Sequence, residues 1–318
     1  MQIRTEPVFV TPNGRTLTRQ ALQFLATQSV VCREILNGWS MVLNREERLQ
    51  SHDTLQDAIS IPWTFRCAQM DRIIKDQALD VHQRYESFKN NIPSCTINDK
   101  ELISMRNIDL VFLLIVEESF FYIIVFDLKP PSIVIIDSKD WDGTVDNIYG
   151  SSTVVLQDMM IMHLLREGHD AGKVYAEMEQ DQIRTRWQSR ESLVDCGVML
   201  MRRMETYFGG DGGKWDCGLY KERTKQKRQL KDLRTKYYSK ILLIDENIRK
   251  TSIITDVELF IAMETSYNAK KKRVATRIGR GKEICSRLWS IFREGQHLLD
   301  EFAGKNVLAA SNTIYVGQ

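Results

Sequence analysis

The chain has 318 residues, of which 43% are hydrophobic and 27% charged. That is enough apolar material for one substantial core with a small appendage, and a net charge of only +2 excludes a global field that would draw in nucleic acid. Six scattered cysteines (Cys32, Cys67, Cys95, Cys196, Cys217, Cys285) and five histidines show no paired ligand spacing, which argues against a zinc site and for free thiols in a reducing compartment, nuclear or cytoplasmic.

Residues 1–29 read as an N-terminal lead-in, and "MQIRTEPVFVTPNGR" lacks the apolar core of a secretory signal. Residues 17–43 carry apolar positions at helical spacing and predict one or two helices. Turn and polar residues occupy 50–62, after which "IPWTF" enters a helical segment ending near Phe88. Three apolar runs follow: "DLVFLLIV" (109–116), "SFFYIIVFDL" (119–128) and "SIVIIDS" (132–138). They are too short to span a bilayer, so no membrane association is expected. Lys129, Pro130 and Pro131 separate the last two closely enough for an antiparallel hairpin. Runs apolar on both faces predict central strands covered by helices on each side. A helix is expected from about Ser152, with its hydroxyl as cap and Gly168 closing it. Another spans 197–208, stopped by Gly209 and Gly210, and residues 219–250 predict a charged amphipathic helix or pair. This order argues an α+β domain over 30–250. Residues 251–318 read as an extension with a basic run, an amphipathic helix over 283–302 and a weakly ordered end.

The stretch "SLVDCGVMLMRRMETYFGG" sets Cys196 directly before a predicted helix. A cysteine attacks as the thiolate, which the unpaired N–H groups and dipole of a helix N-terminus stabilise. Such chemistry also needs a histidine to carry the proton and a carboxylate to orient it. Asp137, closing an apolar strand, suits the orienting role, and the histidine should come from the neighbouring strand of the hairpin. The bland alternative is that Cys196 is a small buried residue.

"SFFYIIVFDLKPPSIVIIDSK", followed by "VDCGVMLMRRMETYFGG", resembles the ubiquitin-like-protein-specific (SUMO) cysteine proteases, with most similarity to their plant, often transposon-associated, branch. "GWSMVLNREER", "KWDCGLYKE" and "LRTKYYSKILL" are similar to that branch too, so the resemblance covers roughly residues 30–245. It implies a papain-like α+β fold with a central, mostly antiparallel sheet flanked by helices. It places the nucleophile at Cys196 and the orienting acid at Asp137, with no cofactor or metal and with SUMO or another ubiquitin-like protein as partner. The family's histidine position falls on Phe120, and its oxyanion glutamine position on Arg190, with Gln188 two residues earlier. Phe120 cannot accept a proton, and loss of acid–base help alone costs on the order of 10² to 10⁴ in rate. The implied function is therefore a degenerate protease retaining a binding role. Two rivals stand beside it: an active isopeptidase using Cys196 with a relocated base, and a transposon-derived accessory or DNA-associated protein.

Trp141 and Trp187 are candidate groove residues, with packing as the alternative. Met159, Met160, Met162, Met199, Met201 and Met204 read as core filler, and Cys217 as structural. The basic run "NAKKKRVATRIGRGK" (268–282) is a candidate nuclear-localisation or nucleic-acid patch, or simply a solvated face.

Overall fold

The computed structural model describes residues 5–268 except 13, 27–28, 54–72, 75, 77, 97–104, 106–107, 118–119, 140, 186–187, 189–193 and 211–214, with the backbone alone described at 47–53, 91, 93–96, 116–117, 120 and 263–268. The strands are β1 (Pro7–Val10), β2 (Thr16–Thr18), β3 (Leu110–Glu117), β4 (Phe120–Leu128), β5 (Pro131–Asp137) and β6 (Asp181–Ile183). The helices are α1 (Arg19–Ala26), α2 (Arg33–Asp53), α3 (Val81–Thr96), α4 (Val145–Tyr149), α5 (Ser151–Arg166), α6 (Ala171–Tyr175), α7 (Cys196–Thr206), α8 (Arg223–Leu243) and α9 (Lys250–Asn268). The chain forms two compact units, residues 28–233 and residues 1–27 with 234–318.

The smaller unit contains the β1–β2 hairpin, where the sequence promised only a lead-in. Buried Asn247 organises it: its side chain accepts from Val10 N (3.0 Å) and donates to Leu242 O (2.9 Å) and Val8 O (3.3 Å). Arg234 adds a bond from Nη1 to Phe24 O at 2.9 Å.

The larger unit is built on a four-stranded sheet in the order β3-β4-β5-β6. The first three strands are antiparallel and β6 lies parallel to β5. Alternation along β4 sends Tyr122, Ile124 and Phe126 into a core completed by α3, α5 and α6. The alternate residues Ile123 and Val125 are equally buried, and α7 packs against β4. Coverage of both faces is why these strands are continuously apolar. Trp39 of α2 ties the helix layer by donating Nε1–H to Met201 O at 3.1 Å.

Several boundaries differ from expectation. Ser152 does not cap α5: the helix begins at Ser151 behind Gly150, with no side-chain cap. The short α4 precedes it, capped by Thr144, and Gly150 at φ 58° turns one helix directly into the next. Gly168 closes α5 as expected, at φ 72°. α3 runs eight residues beyond Phe88 to Thr96, because Tyr85, Phe88 and Ile92 form one buried stripe. α2 continues into the expected turn region as far as Asp53. Strand β6 was not foreseen, since three residues carry too little periodicity to register. "IPWTF", the helix over 283–302 and the chain end lie outside the described residues, as does most of the basic run.

Candidate active site

Helix α7 is fixed at both ends. At its start, a Cβ on Gly197 would meet Val31 Cβ at 2.6 Å, so only glycine lets the helix sit this close to the segment entering α2. At its end, Gly209 turns at φ 82° against the Asp127 carboxylate, which accepts from Gly210 N at 3.0 Å and from Lys129 N at 3.1 Å. Tyr207 packs edge-on against Phe112 and Trp215, whose indole N–H donates to Thr206 O at 2.9 Å. The lengths agree. Eleven helical residues rise about 15 Å, and β4 covers about 17 Å from Tyr122 to Asp127. The C-terminal end therefore sits by Asp127, while Cys196 lies within electrostatic reach of Asp137.

Asp137 is the last residue of β5, 1% exposed, and pairs with Tyr122 of β4. Its Oδ1 accepts from Lys139 N (2.9 Å), while Oδ2 accepts from Trp141 Nε1 (2.7 Å) and the Tyr149 hydroxyl (3.0 Å). Short loops and the one-turn helix α4 thus bring two donors back to the strand end. Tyr149 also stacks near Tyr122 (centroids 4.6 Å apart), and Lys139 Nζ sits 3.6 Å from the Trp141 ring centroid. Burial, then the adjacent Asp137 charge, raises the Tyr149 hydroxyl well above its ordinary pKa, which keeps it a donor.

Cys196 opens α7, yet its thiol is pushed up to about 11. Burial is the largest cause, and the Asp137 and Asp195 carboxylates add to it, while the Gly197 and Cys196 N–H groups oppose. At pH 7 a pKa of about 11 leaves roughly one thiol in 10⁴ ionised. Arg203 is wholly buried two turns further along the same helix face, within electrostatic reach of Cys196 and Asp137. Burial lowers its pKa to about 10, against the pull of Asp137, Cys217, Tyr149 and Cys196.

The remaining expected residues divide. Trp141 is beside Asp137 as a hydrogen-bond donor. The Gln188 amide donates to Asp137 O (2.9 Å) and Lys139 O (3.5 Å) and accepts from Thr185 N (2.8 Å), so it ties the loop after β6 to the end of β5. Phe120 begins β4, its backbone paired with Glu117; its side chain, Trp187 and Arg190 lie outside the described residues. Cys217 is buried, and its carbonyl accepts from Arg202 Nε at 2.9 Å. Among the described residues, the three imidazoles have other surroundings. His163 is packed among Tyr85 and Phe88. His169 feels the charge of Lys129, at the opposite end of β5 from Asp137, about 20 Å away. His82 is exposed in the first turn of α3.

Tyr149 and Arg203 were missed from the sequence. Nothing in "DNIYG" marks the tyrosine, whereas Arg203 had a signal: a cation two turns beyond Cys196 on an apolar helix face. Among the described residues no group of three or more His, Cys, Asp or Glu is placed to hold a metal ion, and no helix is long and apolar enough to cross a membrane.

No protein-family model matches the sequence, and no match was found among curated proteins. Solved structures do match. The C-terminal Ulp1 protease domain in complex with Smt3, the yeast ortholog of SUMO, superposes with a TM-score of 0.50 at 11% identity, over 74% of this chain and 88% of that one. The chain has the Ulp1-type protease fold. The Chaetomium thermophilum Ulp1-like SUMO protease catalytic domain gives 0.48 at 12% identity, over 77% and 87% of the two chains. A de-sumoylating protease gives 0.46 at 14%, over 89% and 97%. In its Ulp1-type fold the chain combines a mostly antiparallel sheet with a helix opening on Cys196 and a strand closing on Asp137.

Proposed function

We propose that this chain is a pseudoprotease of the SUMO-protease type, belonging to its plant transposon-associated branch, which binds a ubiquitin-like protein without cleaving it. The observation that carries the reading is the state of Asp137. Its two carboxylate oxygens accept three bonds, from Lys139 N, Trp141 and Tyr149, which take most of about four acceptor sites, and the strand paired with it opens on Phe120, which offers no imidazole N–H to the site that is left. The neighbouring thiol, held at about 11, agrees with it. Cysteine catalysis needs the opposite environment, one that favours the thiolate. Phe120 at the start of β4 supplies no base. Three described cysteines are free thiols, which suits a reducing compartment such as the nucleus.

Binding can outlast catalysis, because a globular partner is held mainly by surface outside the reacting groups. The expected affinity is micromolar, about −8 kcal/mol. Calorimetric titration against a panel of SUMO and ubiquitin proteins tests this, with Cys196→Ala alongside. Micromolar binding to at least one, equal in both forms, is the expected result. Heats indistinguishable from dilution across the whole panel would refute the proposal.

A further inference from the structure

Helix α5 is apolar on both sides. Of its sixteen residues only Asp158 and Arg166 carry a full charge. Thr153, Leu156, Met159, Met160, His163 and Leu164 are buried and form its inward face. At 100° per residue the opposite arc carries Val154, Asp158, Ile161 and Leu165. Val154 and Leu165 are 47% and 46% exposed, Asp158 is exposed as well, and Ile161 is half-buried. Steps of four, three and four residues make the seam by which one helix packs on another. A helix apolar all round is normally enclosed on every side. Here α3 packs at one flank, where Arg166 meets Glu86 and the Tyr85 ring, and α6 at the other, where Gln157 donates to Tyr175 O. The strip between them is left uncovered.

Asp158 sets the chemistry of that strip. Its neighbours one turn away in both directions are Val154, Val155, Ile161 and Met162, so no cation stands at helical pairing distance. Among the described residues its carboxylate makes no hydrogen bond or ion pair. Burial among these side chains raises its pKa, with no neighbouring charge contributing.

The surroundings are acidic too. Residues 151–181 hold six acids and two cations, in a chain whose net charge is +2. Both cations are engaged, Arg166 with Glu86 at 3.5 Å and Lys173 with Asp170 at 3.3 Å. Gln180 donates to Thr153 O at 3.1 Å and to Gln157 Oε1 at 2.6 Å, which sets Glu179 and Asp181 beside the first half of α5.

These charges select the occupant. The strip holds no cation, so pairing it with its own copy would leave Asp158 against apolar side chains or another carboxylate in any register, and either is costly. A helix with an apolar stripe and one cation within that stripe covers the apolar residues and neutralises the carboxylate together.

We propose that the outer face of α5 docks an amphipathic helix of a partner protein, with Val154, Ile161 and Leu165 taking its apolar stripe and Asp158 pairing a lysine or arginine set within it. The test is selection on the immobilised full chain from a displayed library of amphipathic helices as long as α5, with Lys, Leu or Glu at the centre of the apolar stripe. Helices retained by the wild type should carry Lys. In solution, by fluorescence anisotropy, the best of them should bind at least tenfold more tightly than its Glu counterpart. Asp158→Lys should invert that preference. Val154→Glu and Leu165→Glu, both checked by thermal melting, should each weaken binding at least tenfold. A library that yields no binder would overturn the proposal, as would a preference unchanged in Asp158→Lys or affinity untouched by Val154→Glu and Leu165→Glu. Sedimentation showing a dimer that Leu165→Glu dissolves would overturn it too, by giving the strip to a second copy.

Discussion

At Cys196 burial and two carboxylates raise the thiol pKa, and two backbone N–H groups fail to offset them. The sign of the consequence for stability is fixed. The folded thiol, at about 11, holds its proton more tightly than the unfolded one at 9.0. The stabilisation is therefore fully present below pH 9.0 and is lost as pH rises through about 11. At pH 10.5 the loss amounts to about 2 kcal/mol. Urea unfolding at pH 8 and pH 10.5 should show the stability gap between wild type and Cys196→Ala narrowing by about that amount. A gap independent of pH would mean the thiol titrates alike in both states. Asp137 offers a second check at the same scale. Trp141→Phe keeps the ring but removes one donor to a buried carboxylate, and should cost about 1.5–3 kcal/mol in urea unfolding. No change in stability would show that the indole bond at 2.7 Å contributes nothing.

Phe120→His introduces an imidazole at the start of β4, the strand paired with β5, but Lys139 N, Trp141 and Tyr149 already take three of about four acceptor sites on Asp137. The variant should gain no measurable hydrolysis of a SUMO fluorogenic substrate. Turnover in it would show that Asp137 remains able to orient a base.

Among the elements, α7 is where the sequence was most readable and where its glycines have distinct tasks. Gly197 allows a close approach to Val31, and Gly209 supplies a positive φ beside Asp127. Gly197→Ala should lower stability by about 1–3 kcal/mol through overpacking, measured by urea unfolding. An unchanged midpoint would mean the Val31 segment yields freely. The hairpin β4–β5, helix α7 and the closure of α5 at Gly168 were legible because periodicity and turn residues are local signals. The Ser152 cap was misplaced because Gly150 joins two helices, which a serine pair cannot announce. β6 and the extension of α3 past Phe88 depend on long-range packing, so no window of residues displays them. The strand end at Asp137 and the helix start at Cys196 were readable locally, but the donors to Asp137 were not. Trp141 was read as a groove residue, and Tyr149 reaches Asp137 only because α4 folds back on the strand.

For the whole molecule, the Ulp1-type fold supplies the sheet and the helix, and the proposed pseudoprotease reading concerns the side chains set within it. The proposed absence of turnover is a property of the whole chain. It is tested most directly by following release of a fluorophore from the C-terminus of SUMO and of ubiquitin by the purified full chain, from pH 6 to pH 10, with Cys196→Ser as control. A pseudoprotease gives traces indistinguishable from buffer and from Cys196→Ser at every pH. Release above background that Cys196→Ser abolishes would contradict that reading and would establish Cys196 as a working nucleophile.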